Sequence, residues 1–76
     1  MSYSQEMIDE LNILAQFNLH TTQEGIKVHS SADASVVSAA QRLFDKGLIS
    51  KADGGYLTSL GITTAEHAQH LLQILK

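Results

Sequence analysis

Seven side chains in the middle of the chain have the types and spacing to grip a polyanion: Lys27, Ser35, Ser38, Gln41, Arg42, Lys46 and Lys51. Ser35, Ser38, Gln41 and Arg42 recur at helical intervals, so one helix over 34–46 would present them together. Serine and glutamine bond to base edges, and arginine prefers guanine or phosphate. Lys27, Lys46 and Lys51 would serve phosphates, giving position and salt dependence but no sequence information. The competing reading is a solvated helix face with ordinary charges, and the interspersed Asp45 and Asp53 favour it.

Other chemistry is poorly represented. His67 and His70 stand three apart in Glu66-His67-Ala68-Gln69-His70 and could share a metal only if further ligands came from elsewhere. They read better as polar positions beside an interface stripe, and His20 and His29 as turn or surface residues. There is no cysteine, hence no disulfide and no thiolate nucleophile. Gly54 and Gly55 serve a turn, because a phosphate loop needs a helix N-terminus directly behind it. Tyr3, Phe17, Phe44 and Tyr56 are too scattered to form a base-stacking platform. Enzyme activity, a cofactor and a small-molecule substrate are not expected.

These residues sit in a chain of 76, which is one small domain over 1–76. A chain of this size buries only about 60% of the surface that its unfolded form exposes, and the core is marginal. Without disulfides, good helix packing or self-association must supply the rest. Net charge is −3, which argues against strong polyanion binding, but the charges are unevenly spread. Residues 1–26 carry Glu6, Asp9, Glu10 and Glu24 and no base, whereas 27–51 carry four of the five basic residues against Asp33 and Asp45. Such asymmetry can mark an electrostatic footprint. The start, MSYSQEMIDE, lacks the basic and apolar segments of a secretory signal, and no apolar run approaches the roughly 18 residues of a membrane span. A soluble, cytoplasmic protein is expected.

The elements can be read in turn. A first helix starts at Ser4 as N-cap, with acids early and a stripe of Met7, Leu11 and Leu14 widened by Ile8 and Ala15. Ile13 and Phe17 extend its apolar arc, and Asn18 is a place for it to stop. Residues 19–32 have two readings: a short helix capped by Thr22 and weakened by Gly25, or a strand alternating Ile26 and Val28 with Lys27 and His29. The alternation favours the strand. The middle helix begins near Ser30 and Asp33, buries Val36, Val37, Ala40, Leu43 and Phe44, and ends on Lys46 and a left-handed Gly47. A hairpin follows, with a two-residue turn at Asp53-Gly54 that would pair Lys51 with Tyr56. The last helix starts at Thr58 or at the capping box Thr63 to Glu66, with Ala65, Ala68, Leu72 and Leu75 on one stripe widened by Leu71 and Ile74.

The run Ala40-Gln41-Arg42-Leu43-Phe44-Asp45-Lys46-Gly47-Leu48-Ile49 resembles the end of the recognition helix of winged helix-turn-helix proteins. Lys51 to Tyr56 resembles their wing hairpin, and Leu57-Thr58-Ser59-Leu60-Gly61 the passage into the next helix. The resemblance covers about 30 residues. The whole chain is also similar to a family of small uncharacterised bacterial proteins, some labelled DNA-binding. The winged-helix likeness implies an α+β, mainly helical fold of three main helices with a hairpin wing after the middle one. Residues 26–29 would add a third strand. It further implies a DNA-binding, transcription-regulatory module acting on double-stranded DNA, and the broad apolar arcs of the first and last helices add the expectation of a homodimer. The alternative is a non-enzymatic protein-interaction or dimerisation module that keeps the winged shape without binding DNA. One departure bears on the choice. Winged-helix domains supply a full helix before the recognition helix, and with 19–32 as a strand the order becomes helix, strand, helix, hairpin, helix.

Overall fold

A computed structural model describes residues 2–21 and 23–76. The chain runs α1 (Gln5–Leu14), β1 (Ile26–Lys27), α2 (Ala34–Asp45), β2 (Ile49–Lys51), β3 (Gly54–Leu57) and α3 (Ser59–Leu75). Three helices pack beside a small antiparallel sheet of order β1-β3-β2, so the fold is mainly helical α+β. Residues 26–27 are a strand, shorter than the expected 26–29, and no helix lies between α1 and α2 among the described residues. The expectation that Thr22 caps a short helix falls outside those residues.

α1 begins where the Ser4 hydroxyl accepts a bond from the Met7 amide (3.1 Å). It ends four residues short of Asn18, for a reason that lies far along the chain. The Gln69 side-chain amide donates to the carbonyls of Leu14 (3.1 Å) and Phe17 (2.8 Å), so α3 satisfies groups that the end of α1 leaves open. The buried face also differs from the expected stripe. Glu10, Ile13, Leu14 and Phe17, at helical spacing, are buried, while Met7 and Ile8 are exposed. The same shift occurs on α2, where Ala39, Ala40 and Leu43 face the core and Val37 and Phe44 do not. Alanines let the helix backbones approach closely, and the larger side chains are left on the flanks.

The α2 terminus follows its sequence closely. Gly47 takes φ 79°, its amide donates to the Phe44 carbonyl (3.0 Å), and the Leu48 amide donates to the Leu43 carbonyl (3.0 Å). This paired bonding reverses the chain and drops Leu48 into the core.

The hairpin forms, but its register differs from the expected one. The turn falls on Ala52-Asp53, Lys51 pairs with Gly54, and a bulge intervenes before the Ile49–Leu57 pair. Ala52 and Asp53 keep negative φ, which splays a hairpin, and the correction is made by Gly54 (φ 127°) and Gly55 (φ 76°). The Ser50 hydroxyl accepts from the Tyr56 amide (2.9 Å) across the irregularity. β1 then lies against the glycines, with Ile26 opposite Gly55 and Lys27 opposite Gly54. A side chain on Gly54 would strike the Ile26 carbonyl.

α3 starts at the first of its two candidate caps. Thr58 Oγ1 accepts from the Gly61 amide (3.0 Å) and donates to the Gly47 carbonyl (2.6 Å), so one hydroxyl joins the start of α3 to the end of α2. Thr63 and Thr64 are interior and bond back to the carbonyls of Ser59 and Leu60. Thr58→Ala is expected to cost about 1.5 kcal/mol, read as a lower urea midpoint at unchanged slope, while Thr58→Ser should recover most of it.

Candidate nucleic-acid interface

The basic residues of the middle third do not gather on one outward face. Arg42 turns to α1. Its Nε donates to Glu10 Oε2 (3.1 Å), one terminal nitrogen donates to the Glu6 carbonyl (3.3 Å), and the other lies 3.8 Å from the Glu6 carboxylate. Lys46, one turn later on the same face, bonds to the other Glu10 oxygen. The geometry follows from helical spacing. Positions 42 and 46 lie one above the other, and Glu10 projects from α1 between them. Glu10 is 7% exposed and Arg42 has a side-chain exposure of 28%, so this is an interior clamp between two helices. Burial pushes the Glu10 carboxyl up, but the hydrogen bonds and charges of Lys46 and Arg42 outweigh it and hold the group below its ordinary value.

Lys27 is matched too. Its Nζ lies 3.2 Å from Asp53, an exposed pair that ties β1 to the hairpin turn, and Lys27 holds the Asp53 carboxyl below the usual range. Lys51 is exposed on β2 and makes no ion pair among the described residues. Ser35, Ser38 and Gln41 are exposed along α2 as the spacing predicts, with the Gln41 amide bonded to Asp45 (3.0 Å). Exposed Val37 flanks this row. Of the seven residues singled out, the structure therefore leaves three uncharged groups on the outer face of α2 and one unpaired lysine on the hairpin.

The described surface carries several concavities. A small one, about 50 Å³ between Phe17, Leu19, Tyr56, Leu57 and Ile62, has room for a water or two. A wider groove of about 630 Å³, open to solvent, runs between Val37 and Gln41 of α2 and Lys27, His29 and Asp53. It brings Gln41 and Lys27 to the same groove, together with His29 and Ser30. His67 and His70 are exposed on α3, and no group of three potential metal ligands is found among the described residues.

Sequence reasoning missed the roles of Glu10 and Gln69, two of the polar residues that join α1 to the other helices. Glu10 carried a readable signal, since 10, 13, 14 and 17 form one helical face with the acid at its N-terminal end. Gln69 carried none, because its partners are backbone carbonyls more than fifty residues away.

Over residues 1–76 the chain matches a family of unknown function, DUF5669. No curated protein and no solved structure matches it.

Proposed function

The chain belongs to that family of unknown function, and we propose that it is a non-enzymatic protein-interaction module with a winged-helix-like shape, working in the cytoplasm without binding DNA. The observation that carries this reading is the Glu10 clamp. Arg42 and Lys46, the two bases on the helix that would enter a groove, are already bonded to a buried carboxylate. Releasing them to phosphates would strand Glu10 as an unpaired interior charge, a cost that phosphate contacts must first overcome. The absence of a helix between α1 and α2 among the described residues points the same way, since two helices are needed to seat a recognition helix across a groove. Meanwhile Met7 and Ile8 on α1 and Leu60, Leu71, Ile74 and Leu75 on α3 present apolar surface to solvent. A surface of that kind suits a protein partner better than a phosphate backbone.

DNA binding remains the second reading, favoured by the exposed Ser35, Ser38 and Gln41 beside Lys51. An amide NMR titration with a mixed-sequence duplex at low salt separates the two, because nonspecific phosphate binding is strongest there. The expected result is no displacement of α2 or hairpin resonances at high duplex concentration. Shifts confined to Ser35–Lys46 and the Lys51 hairpin, reversed by salt, would overturn the interaction reading.

A further inference from the structure

We propose that the partner is a second copy of this chain, joined along one stripe of α3: Leu60, Thr64, His67, Leu71 and Ile74. The inference rests on the interaction reading and names its interface. These five positions follow a 4-3-4-3 spacing, the repeat that lets two helices pair along a continuous seam. At about 100° per residue they fall within roughly a quarter turn of one another, and the stripe lies roughly a third of a turn from the face of Gly61, Ala65 and Ala68 that packs inward, with half-buried Leu72 in line with it. α3 thus has one stripe used within the chain and a second left open.

The open stripe is apolar where it counts. Leu60, Leu71 and Ile74 are 57%, 50% and 67% exposed, and Leu75 at its edge is 72% exposed. Thr64 donates its hydroxyl to the Leu60 carbonyl (2.8 Å), so its hydrogen-bonding need is met inside the helix and a methyl remains for contact. Each exposed Leu or Ile contributes on the order of 100 Å², and the four together supply roughly half of the ~800 Å² per partner of a standard interface. The flanks are nearly free of charge. Glu66 is the single charged residue of α3, which matches the depletion of charge at interface centres.

Self-pairing is preferred to a foreign partner for two reasons. A heptad stripe is complementary to its own copy, and with one acid per helix, set off the seam, self-pairing brings little like-charge repulsion. The second reason is the modest core. Among the described residues four of the ten buried apolar side chains are alanine, and a small chain without disulfides gains from covering a further apolar face. His67 sits at the middle of the stripe, where a polar residue fixes register at a cost in affinity.

Sedimentation equilibrium of the full chain over micromolar to millimolar concentration tests the seam. The wild type should be dimeric. Leu71→Glu and, separately, Leu60→Glu should weaken association by roughly a hundredfold or more while keeping the helical circular dichroism, since both positions are half open to solvent in the free chain. His67→Leu should tighten it roughly tenfold. Tyr56→Ser, at an exposed side chain of the hairpin away from α3, should leave it unchanged. A wild type that stays monomeric, or a dimer indifferent to both α3 variants, would overturn the seam. The second of those results would leave the interaction reading standing, whereas the duplex titration can sink that reading without touching the seam.

Discussion

Gly61→Ala is expected to destabilise the chain by about 3 kcal/mol, although alanine is normally better than glycine in a helix by roughly 1 kcal/mol. Gly61 lies in the first turn of α3 and its backbone rests directly on the Leu48 carbonyl, which also accepts from the Thr58 amide (3.1 Å). A methyl at position 61 would overlap that carbonyl, and nearby Leu57 closes the remaining space. Backbone on backbone has no rotamer to escape through. α3 must therefore move off the loop that enters β2, opening the packing around buried Ile49 and Ala65. Thermal unfolding should register a fall of roughly 15 °C for a domain of this size. The sign makes the test sharp, since a gain in stability would mean that α3 does not seat on Leu48 as described.

Glu10→Gln should cost about 2 kcal/mol at neutral pH, because Arg42 and Lys46 lose the charge that holds them against α1. The figure is set below that of a fully buried pair, as Lys46 is half exposed and regains water. The pH dependence has a definite direction. The folded carboxyl titrates below its unfolded value, so its contribution is complete above about pH 5 and is lost as pH falls through the folded value. Wild-type stability should decline on acidification below about pH 4.3, and the Gln variant should decline less steeply there. Parallel acid profiles for the two proteins would rule out the clamp as a source of stability. Together with the duplex titration, this measurement also bears on function, since a clamp that stabilises the fold is one that phosphates must break.

Much of the fold could be read from local signals. Ser4 and Thr58 are caps whose partners lie three residues away, and both form as their side chains dictate. Gly47 ends α2 because a left-handed residue there needs no other part of the chain. The alternation at 26–28 and the Asp-Gly-Gly turn region were enough to anticipate a strand and a hairpin. The hairpin register was not readable, because Gly54 and Gly55 are required as much by the approach of β1 as by the turn. Helix faces were misjudged for a related reason. Met7, Ile8, Val37 and Phe44 are apolar and correctly spaced, yet close helix packing favours Ala39, Ala40, Ala65 and Ala68 at the contacts.

The candidate site divides in the same way. That Ser35, Ser38 and Gln41 share an outward face is a consequence of helical period alone, and the sequence by itself determined it. It likewise determined the Ser4 cap, the end of α2 at Gly47 and the 4-3-4-3 spacing along α3, which depend on residues within a few turns of one another. The start of α3 at Thr58 and the lack of a side-chain cap at Asp33 came with the folded chain. Where Arg42 and Lys46 point was decided by tertiary structure, because Glu10 lies 32 and 36 residues away from them. A charge counted along the chain is an available charge only if nothing distant neutralises it. Whether it is neutralised depends on which helix faces meet, and that is set by the packing of the whole core.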